Sequence, residues 1–524
     1  MSTYTCFLAF FAGLFLSLSL SAKPIAASSI NTKVKEFHPI TTHVDSIPTA
    51  ASIEVLAKAA MDSFDVPGFA IGIVKDGKIV LSKGFGVRKA GAEESVDANT
   101  LFAIASNTKA FIGTMAAMLE DQGKLSLKDP VSQYLPYLKF PSAEVTKLAI
   151  VEDLMTHRTG LGTFKGDHLW FKRKINPRGV LTKVRDLDLE YPFRAGYGYS
   201  NVMFIAAGEV IGEVTGKRWS EVVDEQIFSP LGMDRTVTRV RDLPSDNFSY
   251  GHITRQENNS IPPVAWDAAG AAGGIWSSSN DMLKWISCNL NDGIYNGDTI
   301  WSNRVQRTTM RPKSIFGGTP DFTSYGLGWF LSNTNGHLIA AHGGGYDGMY
   351  SRVLLVPDID LGIVILTNSM TGMPRTLSSE ILNQYMGKGS ATWLDDGLKG
   401  ERAGQANWFK HQDSVAYLLS LSQNKPDAHP LTPGTYRDAT YGDFTVKAGT
   451  GKNLELNFPQ APQLDALLQP VGGDHYKLTW RERHAWVDQG LAYTELKDGE
   501  LTLRLYIPNE DIFYDSILAV KATE

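Results

Sequence analysis

The chain has 524 residues, 43% of them apolar and 20% charged, with 50 basic against 56 acidic side chains and a net charge of −6. That apolar fraction excludes a disordered chain, and the irregular scatter of glycine and proline excludes a collagen-like polymer. The mild acidity leaves no electrostatic footprint for nucleic acid, and at roughly 150 residues per domain the length predicts two to four domains.

Residues Cys6 to Leu20 form an apolar run of signal-peptide length, followed by the small residues Ser21 and Ala22. This predicts a signal peptide over 1–22, an exported (periplasmic or secreted) protein, and a loosely ordered leader over 23–50. No later segment is apolar enough to hold the chain in a membrane. Cys6 and Cys288 are the only cysteines, so the processed chain keeps one thiol, with no disulfide and no cysteine-based zinc site. Cys288 lies in an apolar-patterned stretch and is expected to pack as a small side chain.

Ser52 to Phe64 has helical spacing and runs into two β-rich segments, Ala70–Val74 and Ile79–Leu81, around Asp76-Gly77. Asp-Gly between such runs signals a hairpin, and a helix followed by a hairpin opens an α/β or α+β domain with a mainly antiparallel sheet. Ser106 to Gln122 reads as one helix, stopped by Gly123. Further helices are predicted near Val202–Gly216 and Asp281–Leu290. Strands are predicted over Tyr325–Leu331, Leu338–Ala341, Arg352–Val356 and Gly362–Leu366, and a helix from Met373 to Tyr385 closes this domain near residue 388. Residues 389–429 read as a polar connector. From 430 to 524 short alternating runs separated by turns predict an all-β barrel or sandwich.

Three short motifs carry chemistry. Ser106-Asn107-Thr108-Lys109 places a hydroxyl and an amine nearly one helical turn apart, about 5 to 6 Å at Cβ. A serine needs a neighbouring base to attack at neutral pH, and lysine serves only when burial or nearby cations depress it. Taken alone, Ser106 could equally cap the helix with Lys109 in solvent. Tyr199-Ser200-Asn201 supplies a phenol able to relay protons and an amide able to orient an amine or a carbonyl. His342-Gly343-Gly344-Gly345 ends a strand with glycines whose N–H groups could face a carbonyl oxygen. His337 and His342, five apart, should point to opposite faces of a strand, and His157 reads as a structural, hydrogen-bonded side chain.

In this order the three motifs resemble the serine β-lactamase and penicillin-binding-protein superfamily, and most closely its class C β-lactamase and D-alanyl-D-alanine carboxypeptidase branch. Phe102-Ala103-Ile104-Ala105, Leu154 to Leu161, Phe228 to Met233 and Gly273 to Ser277 look like that branch too, and the resemblance covers residues 51–388. It implies a mainly antiparallel sheet with an all-helical lobe and the site between them. Ser106 would be acylated, Lys109 would accept its proton, Tyr199 would relay protons, and Asn201 would hold the substrate. The N–H groups of Ser106 and Gly345 would form the oxyanion hole, with His342, Gly343 and Gly344 beside it. No metal or organic cofactor is implied. The third motif begins with His342-Gly343 where β-lactamases usually carry Lys-Thr, which counts against strong β-lactam hydrolysis. The C-terminal segment resembles a lipocalin-like barrel that could border the cleft.

The expected protein is an exported serine hydrolase acting on small esters or amides, D-amino-acid-containing peptides among them. A carboxypeptidase or weak β-lactamase is the second reading, and a non-catalytic penicillin-binding sensor or scaffold the third. The oligomeric state is left open.

Overall fold

The computed structural model describes residues 47–253, 258–317, 323–438, 441–482, 489–506 and 518–521. The N-terminal apolar run and the leader through residue 46 lie outside the described residues. Helix α1 (Ala50–Ser63), capped by Thr49, leads into β1 (Gly68–Lys75) and β2 (Lys78–Gly86). Asp76 and Gly77 both take positive φ (50° and 67°), the geometry that lets two residues join twisted antiparallel strands.

The first motif departs from the single helix its spacing predicts. Ala105–Asn107 form a separate 3₁₀ turn, and helix α2 begins only at Thr108 and runs to Asp121. Ala105, at φ +47°, bends the chain into that turn, and Asn107 (φ −61°, ψ −19°) carries it on into α2. Helices α3 (Asn201–Thr215) and α4 (Ser279–Leu290) follow as expected. Strands β3 (Ser314–Phe316), β4 (Thr323–Tyr325), β5 (Phe330–Thr334), β6 (His337–Tyr346), β7 (Met349–Val356) and β8 (Leu361–Thr367) complete the sheet. The strand predicted over Tyr325–Leu331 is thus broken in two. Gly328 sits at φ +88°, and a Cβ there would lie 2.4 Å from the Lys109 carbonyl, so this turn packs directly on α2.

The sheet has the order β2-β1-β8-β7-β6-β5-β4-β3 and its pairings are antiparallel. Side chains alternate across it. Ile363 and Ile365 join Leu56 of α1, and Leu377 and Ile381 of α5 (Met373–Tyr385), in one core. Val364 and Leu366 face the opposite core with Phe111, Met115, Met282 and Ile286 of α2 and α4. Strand β8 is buried along its whole length, as a strand covered on both faces must be.

The connector is largely one long helix, α6 (Trp393–Ser422). Beyond it, β9 (Gly434–Asp438), β10 (Gly442–Ala448), β11 (Leu454–Asn457), β12 (Ala466–Gly472), β13 (His475–Trp480), β14 (Gln489–Lys497), β15 (Glu500–Tyr506) and β16 (Leu518–Lys521) close into a barrel in sequence order. The barrel touches the first domain at one loop of interest. The Arg173 guanidinium lies 5.0 Å from the Tyr441 ring, and the Lys174 N–H donates to the Gln460 carbonyl at 2.7 Å. Among the described residues no helix is long and apolar enough to cross a membrane.

Candidate active site

The three motifs converge on one cavity of about 590 Å³. Ser106, Tyr199, Asn201, His342, Gly343 and Gly345 line it. Lys109 stands behind this wall, wholly buried. Gly344 turns the other way: a Cβ there would meet the Ile104 carbonyl at 2.2 Å and Ser351 Oγ at 2.5 Å. That glycine lets β6 pass close over the turn holding Ser106. Ser351 Oγ donates to the Ile104 carbonyl (2.7 Å) and accepts from Asn107 Nδ2 (2.8 Å), pinning the same turn to β7.

Lys109 Nζ lies 2.9 Å from Ser106 Oγ, 2.7 Å from Asn201 Oδ1 and 2.7 Å from the Ala272 carbonyl. The amide and peptide oxygens can only accept. A neutral amine has two N–H bonds and one lone pair, so these two acceptors take both protons and leave the lone pair facing the serine hydroxyl. The orientation of Asn201 is set in turn by Asp167, whose Oδ2 accepts from Asn201 Nδ2 at 2.6 Å. Asp167 Oδ1 accepts from Trp170 Nε1 at 3.0 Å. Without that carboxylate the Asn201 amide could flip and offer Lys109 a donor.

Burial lowers the Lys109 ammonium to about 7, with Asp167 pulling the other way. The amine is therefore available in its neutral form near neutral pH, as a serine-activating base requires. It also lies 4.9 Å from the centroid of the Tyr199 ring. Tyr199 sits just before Ser200, which caps α3 by accepting from the Met203 N–H, so the phenol and Asn201 flank a helix start. Burial raises the Tyr199 phenol well above its usual range, and a hydrogen bond to Ser106 works against that rise. Tyr199 is thus neutral and in touch with the Ser106 hydroxyl, where it can hand a proton on.

His342 is buried, and its Nδ1 lies 2.6 Å from the Gly343 carbonyl. That contact requires Nδ1 to carry the proton, so Nε2 accepts from the Tyr325 hydroxyl at 2.9 Å. Burial first, then Lys109, lowers His342 to about 3. It borders the cavity as a neutral ring with both nitrogens already engaged, and offers a substrate no charge. His337, on the same strand, is partly exposed beside Asp358 at 3.6 Å. His157 is buried and accepts from the Ser200 N–H at 3.0 Å, with its ring 4.4 Å from that of Tyr199. Its role is to support the second motif. Cys288 is buried, and that burial raises its thiol, so it is a packing residue. Among the described residues no three His, Cys, Asp or Glu side chains cluster so as to hold a metal ion.

Sequence reasoning missed Asp167, Trp170, Phe171 and Trp266, all on the cavity wall. Asp167 lies 34 positions before Asn201 and opens a short 3₁₀ turn (Asp167–Leu169), and no periodicity or motif links the two. That turn lies in the loop whose far end, Arg173 and Lys174, meets the barrel. The barrel thus reaches the cavity through that loop, and among the described residues none that lines the cavity belongs to the barrel itself.

A serine, a buried amine aimed at it, a phenol and a glycine-rich strand meet on a two-faced antiparallel sheet, the arrangement of the β-lactamase-like fold. The chain belongs to the Beta-lactamase family, whose profile matches residues 53–383. It is 27% identical over 323 residues to Protein flp of Staphylococcus aureus (strain MW2), covering 60% of this chain and 62% of that protein. It is 30% identical over 334 residues to the unguisins hydrolase ungD' of Aspergillus campestris (strain IBT 28561), covering 60% of each. The chain therefore spans about three fifths of each of these two relatives. The octameric penicillin-binding protein homologue from Pyrococcus abyssi superposes with a TM-score of 0.58 at 22% identity, over 90% of this chain and 99% of that one. A class C β-lactamase from Rhodobacter sphaeroides superposes at 0.54 and 22% identity, over 64% and 99%. At such identities the two structures establish the shared fold.

Asp167→Asn separates a positioning role from a merely structural one. Loss of the charged acceptor is expected to lower kcat/KM about tenfold or more. Because Asp167 holds the Lys109 ammonium up, the acid limb of the pH profile should also move to lower pH. A fall in activity with an unmoved limb would leave Asp167 no electrostatic part.

Proposed function

We propose that this protein hydrolyses small esters or amides through an acyl-enzyme on Ser106. The observation that supports this best is the Lys109 amine, buried and depressed to about 7, with Nζ 2.9 Å from Ser106 Oγ and its two other partners both obligatory acceptors. In this reading the Ser106 proton passes to the Lys109 lone pair as Oγ attacks the carbonyl carbon. The developing oxyanion is held by the N–H groups of Ser106 and Gly345, and such donors are each worth roughly a hundred- to a thousandfold in rate. Tyr199 delivers a proton to the departing alcohol or amine. Water then attacks the acyl-enzyme with Tyr199 and Lys109 taking its proton, and Ser106 is regenerated.

D-amino-acid-containing peptides are among the substrates this reading admits, since an amide carbonyl is open to the same nucleophilic attack as an ester's. Neutral His342 in the third motif argues against strong β-lactam turnover. A panel of p-nitrophenyl esters, D- and L-aminoacyl anilides and a chromogenic cephalosporin tests the assignment. Turnover of esters or anilides with a pre-steady-state burst is expected, with the cephalosporin slow or inert. Binding without turnover of any member would instead mark a sensor or scaffold.

A further inference from the structure

The mechanism above makes no use of the cavity wall built by Trp170, Phe171 and Trp266. Trp170 meets Trp266 edge to face, with ring centroids 5.1 Å apart at 61°, and meets Phe171 at 5.8 Å and 79°. An indole has a single polar hydrogen, and here both are held by buried carboxylates. Trp170 Nε1 donates to Asp167 Oδ1 at 3.0 Å, and Trp266 Nε1 donates to Asp347 Oδ2 at 3.1 Å. The other Asp347 oxygen lies 3.9 Å from Lys172 Nζ, with both side chains almost wholly buried. What the indoles have left to offer a substrate is carbon surface. The wall is also held in place from behind. Asp167 accepts from Asn201, which orients Lys109, and the Lys174 N–H anchors the same stretch of chain to Gln460 of the barrel. It stands close to the nucleophile: a Cβ on Gly273 would lie 2.8 Å from the Trp266 ring and 3.5 Å from the carbonyl carbon of Ala105, the residue before Ser106. Tyr199, which protonates the leaving group, packs with other rings, 5.5 Å from Phe164 and 6.3 Å from Phe330.

We propose that Trp170, Phe171 and Trp266 form the subsite for the acyl side of the substrate and select an acyl group that bears an aromatic ring. The leaving group then departs toward Phe164 and Phe330, beside Tyr199. Rings that meet edge to face present negative faces and positive edges together, and a further flat ring joins such a cluster through the same contacts. Because the wall is already fixed, little entropy is lost in ordering it around the ligand. A polar acyl group would give up water there and gain no partner, since the indole N–H groups and the carboxylates behind them are engaged with one another. The proposal rests on the serine-hydrolase reading for its substrate, though the subsite itself does not require turnover.

The test uses three methyl esters, whose leaving group is too small to compete for the rings: methyl butanoate, methyl 3-cyclohexylpropanoate and methyl 3-phenylpropanoate, followed by proton release. In kcat/KM the phenyl ester is expected to exceed the butanoate roughly ten- to a hundredfold, the scale of burying a phenyl ring. It should exceed the cyclohexyl ester about two- to tenfold, the excess of ring–ring contact over area alone. Trp266→Leu should lower kcat/KM for the phenyl ester about tenfold more than for the butanoate, and Trp266→Phe should restore part of the difference. No preference for the phenyl ester over either of the others, or an equal loss on all three in Trp266→Leu, overturns the subsite and leaves the hydrolase reading standing. Should none of the three turn over, the hydrolase reading fails and binding decides the subsite. The neutral 3-phenylpropanamide, titrated calorimetrically into Ser106→Ala, should bind more tightly than butanamide and lose that advantage when Trp266→Leu is added. No binding, equal binding of the two amides, or an advantage indifferent to Trp266 overturns it.

Discussion

Replacing Ser106 by alanine is expected to abolish both the burst and covalent labelling by a fluorophosphonate, and to lower kcat/KM by about a millionfold, the scale on which removal of a serine nucleophile acts. The hydroxyl is the one group in the cavity with an amine lone pair directed at it, and nothing else nearby is equipped to take its place. Cys288 is buried in the core with its thiol raised, His342 is depressed with both ring nitrogens hydrogen-bonded, and His157 is depressed and buried behind Tyr199. The fold should be unaffected, because the substitution removes one partly exposed oxygen from a turn held by Asn107 and Ser351. Intact-mass spectrometry of both proteins after labelling is the measurement. An adduct of equal yield on Ser106→Ala would move the nucleophile elsewhere and end the assignment.

Lys109→Ala is the second large effect, with acylation slowed about a hundred- to ten-thousandfold, the usual worth of a general base. Its signature is the pH profile. With the ammonium depressed to about 7, the neutral fraction rises as pH climbs through that value, so kcat/KM in the wild type should climb from pH 6 to 8 and then level off. Burial keeps His342 and His157 uncharged above pH 6, so they should not contribute a limb there. In Lys109→Ala the limb near 7 should vanish, and stopped-flow acylation rates across pH 5.5–9 would show it. A limb persisting in the variant would assign the base to another group.

The same burial has a cost in stability, and its sign can be worked out. An unfolded lysine titrates near 10.4, while the folded one titrates near 7. Between those values the unfolded chain binds more protons, so the contribution of Lys109 to stability rises with pH across that window and is least favourable below 7. Lys109→Met, which fills much of the same space without a charge, should therefore melt at a higher temperature than the wild type at pH 7. That difference should narrow towards pH 10. A methionine variant less stable than the wild type at both pH values would mean that the hydrogen bonds of the amine outweigh its burial.

Much of this architecture was legible in the chain. The Asp76-Gly77 turn, the amphipathic spacing of α1 and α5, and the even short strands of the barrel are local patterns. Each follows from backbone sterics and from the periods at which side chains repeat on one face. The first motif is local as well: three residues of separation alone brought Lys109 under Ser106. What sequence spacing misread was also local in extent but not in cause. Ser106 to Gln122 looked like one helix, and Tyr325–Leu331 like one strand. The backbone at Ala105 and Gly328 is set by contacts with β6, β7 and α2, which lie far away in sequence.

By itself, then, the sequence determined the secondary structure of most of the sheet and barrel and the residue types of the candidate site, because those depend on neighbours a few positions apart. Only the tertiary structure decided which way the Lys109 lone pair points. That direction depends on Asn201, on Asp167 behind it, and on the Ala272 carbonyl from a third segment. It likewise decided that His342 is neutral and that Trp266 faces the cavity. Charge state and orientation are set by what surrounds a side chain in space, and each of these surroundings is assembled from stretches tens to hundreds of residues apart.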